Sequence, residues 1–221
     1  MKLSSHFLAG CAFFLVLLVA PYHAAHAAHA AHAAHAAHAA HAAHAAHAAH
    51  ADDTALRNTV LSALAKQKNR HFHFVQEKKL AMLDKPLITE GELLLDEQQT
   101  VTWDIKKPFA LRYVLTTTSI REIDAQGERT LQTGQNPLAA ALTQAMTATF
   151  SGQWKEDSTL ATITATGNKQ QWQLHITPRA SELQTLIQTM TVDGTQQTIN
   201  TVTIVESNGD RAVIHLRTLS Q

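Results

Sequence analysis

Residues 186–219 read LIQTMTVDGTQQTINTVTIVESNGDRAVIHLRTL, three runs rich in β-branched residues separated by short glycine-containing segments. Asp193-Gly194 and Asn208-Gly209 are strong hairpin signals, because both dipeptides accept the positive φ angles of tight two-residue turns. The pattern predicts three antiparallel strands that follow one another as a meander. The expected strands cover residues 186–192, 198–205 and 212–219.

The alternation of apolar and polar residues that is typical of strands also occurs in segments closer to the N-terminus. In His71–Gln76 apolar and polar residues alternate, which places Phe72 and Phe74 on one face of a strand. Turns are expected at Ala125-Gln126-Gly127 and at Gly167-Asn168. Further strands are expected at residues 90–95, 100–105, 111–116, 119–124, 128–133, 160–165 and 171–176. A single sheet of about nine to eleven strands has to curl or split.

In two segments the apolar residues recur at helical spacing instead. Residues 53–68 carry an apolar stripe that begins after Asp52-Asp53, and Asn136-Pro137 is a suitable cap for a helix over Leu138–Phe150. This second helix is more apolar than its length requires. The sequence therefore predicts an α+β fold in which two or three helices cover one face of a large antiparallel sheet. If the helices do not fill that face, an apolar cavity remains.

Residues 1–27 have the features of a secretory signal peptide. Lys2 precedes the apolar run Phe7–Ala20, which is short for a membrane span, and Ala25-His26-Ala27 offers a cleavage site. An uncleaved anchor is the alternative. Leu8-Ala9-Gly10-Cys11 resembles a lipoprotein-processing motif, but it lies near the start of the apolar run rather than after it. Lipid attachment is therefore not expected.

Residues 28–51 belong to a His-Ala-Ala repeat that contains ten histidines between His23 and His50. Neutral imidazoles bind zinc, copper or nickel, so the repeat could act as a metal-binding tract. The alternative is a tandem expansion that serves as a linker, and the perfect regularity favours it. A selected metal site needs partners that orient its ligands, and the repeat supplies none. We assign no metal site and treat residues 52–221 as the folded domain.

The composition gives no sign of nucleic-acid binding or catalysis. Lys plus Arg and Asp plus Glu both number 18, so no basic surplus favours nucleic acid. The one cysteine, Cys11, lies in the leader, which leaves the folded domain without a thiol. The domain has four histidines, all in predicted strands, and no nucleophile elbow or phosphate-binding glycine loop. We therefore expect neither catalytic residues nor a cofactor.

Short motifs recur in a characteristic order along residues 53–219. They are Phe74-Val75-Gln76, Gly91-Glu92-Leu93, Trp103, Lys107-Pro108, Leu174–Ser181 and Val192–Thr195. Together they resemble the LolA family of periplasmic outer-membrane lipoprotein carriers. The resemblance implies an incomplete, strongly curved antiparallel β-barrel lidded by helices. Asp96-Glu97-Gln98 stands where the family has a basic residue followed by proline, so the cargo, lipoprotein or glycolipid, stays open.

The resemblance implies a monomeric carrier in the periplasm. It would receive lipid or lipoprotein acyl chains from an inner-membrane donor complex and pass them to an outer-membrane acceptor protein. Burial of each methylene is worth about 0.8 kcal/mol, so a C16 chain gains on the order of 12 kcal/mol before ordering costs. Two other functions remain open, a periplasmic sensor or adaptor that binds a protein and an enzyme of glycolipid assembly.

The candidate lipid-binding residues are the apolar side chains expected on the inner face of the strands and on the apolar stripe of the helix. Ordinary core packing is the alternative role for each of them. The candidates are Phe72, Phe74, Leu93, Leu95, Trp103, Leu111, Leu142, Met146, Phe150, Leu174 and Ile176.

Overall fold

The computed structural model describes residues 53–67, 69–155 and 158–219. The predicted signal peptide and the His-Ala-Ala repeat lie outside the described residues. Within the described part of the chain, none of the helices has the length and apolar character needed to cross a membrane.

Eleven antiparallel strands form one sheet. They are β1 (Arg70–Lys79), β2 (Leu87–Leu95), β3 (Val101–Lys107), β4 (Leu111–Leu115), β5 (Ser119–Asp124), β6 (Gly127–Gln132), β7 (Ala161–Gly167), β8 (Gln171–Pro178), β9 (Ile187–Thr195), β10 (Thr198–Glu206) and β11 (Arg211–Thr218). Their spatial order is β6-β5-β4-β3-β2-β1-β11-β10-β9-β8-β7. The pairing of β1 with β11 joins two meanders, and the sheet stays open between the edge strands β6 and β7.

Three helices accompany the sheet. Helix α1 covers residues 53–65, α2 is Pro137–Ser151 and α3 is Ser181–Gln184, with a 3₁₀ turn at Thr133–Gln135. The predicted cap of α2 is confirmed, because the Asn136 Oδ1 accepts a hydrogen bond of 3.0 Å from the Ala139 N–H. The α+β architecture, an open curved barrel with a helical lid, is confirmed.

Residues alternate between the two faces of the sheet, and the inner face is buried. On β1, for example, Phe72 and Phe74 are buried while His71 and His73 are partly exposed. The apolar side chains of the inner face and of the helices form one hydrophobic core. The core therefore lies between the sheet and its helical lid.

The turn predicted at Asp193-Gly194 is wrong. Both residues belong to β9, and the chain turns at Gln196-Gln197, where Gln196 has φ 53°. Gly194 lies opposite Trp172 on β8, and a Cβ atom at position 194 would lie 2.1 Å from the indole ring. The glycine is therefore needed for close approach of the ring, not for a turn. The turn at Asn208-Gly209 is confirmed.

Gly91 lies at an irregularity of β2. The β2–β3 register shifts between Glu90 and Gly91, and a Cβ at position 91 would lie 2.0 Å from the backbone oxygen of Asp104. The absence of a side chain lets β3 approach β2 closely at this irregularity.

Candidate functional site

A small apolar cavity lies between α2 and the inner face of the sheet. Its volume is about 30 Å³, and its lining is Trp103, Leu142, Ala145, Met146, Thr149, Phe150, Ile187, Met190, Val202, Ile204 and Ile214. Pockets that hold drug-sized ligands measure roughly 300–1,000 Å³. This cavity, formed by described residues, is therefore smaller than a lipid pocket, and an acyl chain can enter it only if α2 moves away from the sheet.

All eleven predicted lipid-binding residues belong to the core, with Leu142 at its edge. Four of them line the cavity, namely Trp103, Leu142, Met146 and Phe150. The other seven pack in the same core without lining it: Phe72, Phe74, Leu93, Leu95, Leu111, Leu174 and Ile176.

Sequence reasoning missed the part of the lining that comes from the last three strands. Ile187, Met190, Val202, Ile204 and Ile214 are all buried on the inner face. The period-two alternation in residues 186–219 was the signal that could have found most of them, because it fixes which residues share a face. It does not tell which strands α2 crosses.

An aromatic group attaches the lid to the first meander. The ring centroid of Trp103 on β3 lies 4.6 Å from that of Phe74 on β1 and 6.1 Å from that of Phe150 on α2. Tilted and edge-on arrangements at these distances are favourable for aromatic pairs. The C-terminal part of α2 is thus held to the sheet by Phe150.

Apart from Met146 and Phe150, the buried side of α2 is made of small residues. Ala139, Ala141, Ala145, Thr143 and Thr149 are all buried. An alanine buries much less apolar area than leucine, so each contributes little to the adhesion of the helix. The Thr143 hydroxyl is buried and has no hydrogen-bond partner among the described residues, which weakens the contact further.

Arg70 fastens both long helices at their C-terminal ends. Its Nη1 donates to the backbone oxygen of Phe150 near the end of α2, and its Nη2 donates to that of Leu64 at the end of α1. Burial lowers the pKa of Arg70 to about 10, so the guanidinium is still charged at neutral pH. A cation at two helix C-termini is favourable because the last carbonyls of a helix carry partial negative charge. The Leu64 oxygen also accepts a hydrogen bond of 3.2 Å from the Gln67 N–H. Arg70 was missed because one arginine before a strand carries no sequence signal.

The sequence profile of the family described as "Outer membrane lipoprotein carrier protein LolA-like" matches residues 43–219. The chain belongs to this family. No curated protein sequence matches this LolA-like chain significantly.

Two solved structures are similar to this LolA-like protein in arrangement. A LolA superfamily protein from Nitrosomonas europaea has 7% identity and a TM-score of 0.43, over 75% of this chain and 94% of that one. LprF from Mycobacterium bovis has 9% identity and a TM-score of 0.34, over 76% of this chain and 92% of that one.

A buried ion pair closes one end of the LolA-like core. The Lys78 Nζ lies 2.7 Å from the Glu206 Oε1, and both side chains are almost fully buried on the inner face. Burial raises the pKa of Glu206, and the neighbouring Lys78 opposes this shift only in part. The pair separates the apolar core from the loops at this end of the sheet.

The raised pKa of Glu206 predicts a pH-dependent stability. The folded state binds this proton more tightly than the unfolded chain does. The resulting stabilisation is fully present below the ordinary pKa of 4.5 and is lost as pH rises through the folded pKa. We expect Glu206→Gln to flatten that decline in urea unfolding at a series of pH values. Glu128→Gln, at an exposed site, should leave it unchanged. An unaltered profile in Glu206→Gln would contradict the assignment.

A second, larger cleft of about 120 Å³ lies where α1 meets the edge strand β7. Its lining is Arg57, Asn58, Leu61, Trp154, Lys155, Ala161, Thr162, Ile163 and Arg179. The Arg57 Nη1 donates to the backbone oxygen of Ile163 at 3.5 Å, which covers part of the sheet edge. Three cationic side chains make this cleft unfavourable for a hydrocarbon chain. The apolar cavity under α2 is the better candidate site.

The outer face of β1 carries the two histidines that the sequence placed together. The His71 Nε2 lies 3.0 Å from the Glu92 Oε2 on β2, and His73 is partly exposed. The part of the chain that the structure describes contains no group of three or more His, Cys, Asp or Glu side chains positioned to hold a metal ion.

Proposed function

We propose that this LolA-like protein is a periplasmic, non-enzymatic carrier of lipid or lipoprotein acyl chains for transfer toward the outer membrane. The observation that carries the proposal is the apolar seam between α2 and the inner face of the sheet. The seam is lined by the side chains a hydrocarbon needs, and the helix that covers it presents mainly small residues.

The mechanism is an exchange of one apolar surface for another. When α2 lifts, the inner face of β9–β11 loses its cover and would meet water. An acyl chain that takes the place of α2 restores the burial, with about 0.8 kcal/mol gained for each methylene. Release follows the same path in reverse, because α2 competes with the chain for the same surface. A form in which the described cavity is too small for an acyl chain then drives release.

The proposed assignment of the chain follows from this mechanism. Residues 1–27 direct export, residues 28–51 form a linker, and residues 52–221 form the carrier domain. An inner-membrane donor complex loads the monomer, and an outer-membrane acceptor unloads it. The eleven predicted residues, from Phe72 to Ile176, together with Ile187, Met190, Val202, Ile204 and Ile214, form the lipid-binding surface.

Leu142→Glu is expected to abolish lipid binding. Leu142 is partly buried and lines the cavity, so a carboxylate there would meet the hydrocarbon chain without a partner. Native mass spectrometry of the full chain isolated from cells should show lipid adducts on the unaltered protein. We expect at least a tenfold loss in Leu142→Glu, since an unpaired charge at an apolar site costs more than 1.4 kcal/mol.

Gln144→Glu is the matched control for Leu142→Glu. Gln144 lies on the exposed side of the same helix, so the variant adds the same charge without touching the seam. The control should retain its lipid. Equal adducts on both variants would contradict the proposed surface, and circular dichroism separates loss of binding from loss of the fold.

The small size of the cavity favours a second candidate, a periplasmic sensor or adaptor that keeps the LolA-like fold. A core that is nearly filled is suited to a protein that binds its partner on the outside. If the chain isolated from cells carries no lipid and co-purifies with one protein at fixed stoichiometry, the adaptor replaces the carrier.

A further inference from the structure

Large apolar side chains are exposed at one end of the sheet. Among the described residues, Met82 is 84% exposed, Leu83 41%, Ile88 44% and Phe109 46%. Leu94, 37% exposed, is the remaining large apolar residue of this kind in the described chain and lies near the other end of β2. We refer to Met82, Leu83, Ile88 and Phe109 as the apolar rim.

Strand pairing brings the four rim residues together. Glu90 pairs with Lys107, so Ile88, two residues before Glu90, and Phe109, two residues after Lys107, lie beyond the same end of the β2–β3 pair. Met82 and Leu83 lie in the loop that connects β1 to β2 at this end. The rim is therefore formed by the β1–β2 loop, the start of β2 and the β3–β4 connection.

The β1–β2 loop is anchored rather than loosely attached. Leu80 is buried at its start, and the Ala81 N–H donates a hydrogen bond of 2.8 Å to the Asp210 Oδ1 in the neighbouring β10–β11 turn. The anchor directs the following residues outward. Buried Leu80 shows that this part of the loop can reach the core. The exposure of Met82 therefore follows from the conformation of the loop.

Basic side chains outnumber acidic ones around the rim. The basic residues are Lys79, Lys85, Lys106, Lys107, Arg112 and Arg211, and the acidic residues at the same end are Glu77, Asp84, Glu90, Asp104 and the buried Asp210. The Lys107 side chain is 70% exposed and that of its partner Glu90 is 34% exposed. The Lys106 side chain is 49% exposed and that of its partner Asp104 is 13% exposed. Glu90 and Asp104 are less exposed than the lysines they pair with, while Glu77 and Asp84 are exposed. Six basic residues face five acidic ones at this end, and Asp210 is buried, so the surface carries a positive excess.

We propose that the apolar rim docks this protein onto the surface of an anionic phospholipid bilayer. Met82, Leu83, Ile88 and Phe109 enter the interface between headgroups and acyl chains, and the outer lysines contact lipid phosphates. Each buried apolar side chain and each cation near an anionic surface adds to the attraction, which gives reversible rather than permanent attachment. The inference goes beyond the carrier function and does not need it.

The shape and charge of the rim favour a bilayer over a protein partner. The four side chains are exposed at one end of the sheet, and a bilayer surface requires no complementary shape. Lysine is depleted at protein interfaces, whereas exposed lysines are favourable at an anionic lipid surface. The cavity under α2 also includes Ile187 and Ile204 from the same end of the sheet, so docking would bring the cavity near the membrane.

A tryptophan at position 82 reports on docking directly. The three native tryptophans, Trp103, Trp154 and Trp172, are at most 9% exposed, so they give a constant background. Full-length Met82→Trp is mixed with vesicles of phosphatidylglycerol and phosphatidylcholine that carry brominated acyl chains. We expect bromine to quench the added emission. Leu94→Trp, exposed at the other end, is the matched control and should not be quenched.

Because the reporter sits on the rim, contact of any other segment with the bilayer cannot imitate this result. Unquenched Met82→Trp, or equal quenching at positions 82 and 94, would overturn the docking surface. Equal quenching in pure phosphatidylcholine would overturn the role of the lysines. Vesicle sedimentation gives the second measurement, in which Met82→Glu with Leu83→Glu should lower partitioning about tenfold relative to Leu94→Glu.

Discussion

Replacing Arg70 by methionine is expected to detach the ends of both long helices and to open the lid. The variant removes two charge-assisted donors, from the Phe150 oxygen and from the Leu64 oxygen, of which the latter keeps the Gln67 N–H as a donor. Each lost partner costs about 1–3 kcal/mol, so we expect the free energy of unfolding to fall by about 3 kcal/mol. Methionine fills a similar volume, which keeps a cavity from dominating the result. Urea unfolding measures the loss.

Hydrogen exchange and lipid binding separate a lid effect from general destabilisation in Arg70→Met. The amides of α2 should exchange faster, while those of the paired strands β1 and β11 should keep their relative protection. Lipid affinity should rise, because less free energy is spent on lifting α2. Arg217→Met, on the exposed side of β11, is the control and should change neither quantity. Uniformly faster exchange without tighter lipid binding would contradict the proposal that Arg70 holds α2 against the sheet.

Gly194→Ala is expected to be among the most destabilising single changes in the sheet. Its Cβ would lie 2.1 Å from Trp172 Cζ2 and 2.5 Å from the backbone oxygen of Thr198. The indole cannot withdraw easily, since it is buried and its Nε1 donates a hydrogen bond of 2.9 Å to the Gln196 oxygen. Overpacking of this kind costs about 3 kcal/mol, measurable by urea unfolding.

Gly134→Ala is the control for Gly194→Ala. No atom lies within 4 Å of a Cβ at position 134, so the change should alter the free energy of unfolding by less than about 0.5 kcal/mol. If Gly194→Ala were as stable as Gly134→Ala, Trp172 would not pack over β9 as described.

The same glycine explains where sequence reasoning succeeded and failed. Alternation within each strand and the glycine of Asn208-Gly209 are local properties, so the meander and most strand limits could be predicted. The role of Gly194 depends on Trp172, which lies in a different strand. Asp193-Gly194 therefore has the local signal of a turn although the partner strand, not the turn, requires the glycine.

The candidate site was predictable only in part for a related reason. Burial of Phe74 or Leu174 follows from period two, and all eleven predicted residues do lie in the core. The position of α2 over β9–β11 depends on how the sheet curves, which no local pattern specifies. Ile204 and Met190 were missed for that reason. Arg70 was missed because its two acceptors are backbone atoms, whose positions a sequence does not show.

The most direct test is to map where an acyl chain lies. A phospholipid that carries a diazirine in one acyl chain is incubated with the full chain, irradiated and located by peptide mass spectrometry. The carrier account predicts adducts on the inner face and on the lid, at residues such as Met190, Ile204 and Leu142. Adducts confined to outward-facing residues such as Thr203 or Gln144, or no adducts in either the unaltered protein or Arg70→Met, would contradict it.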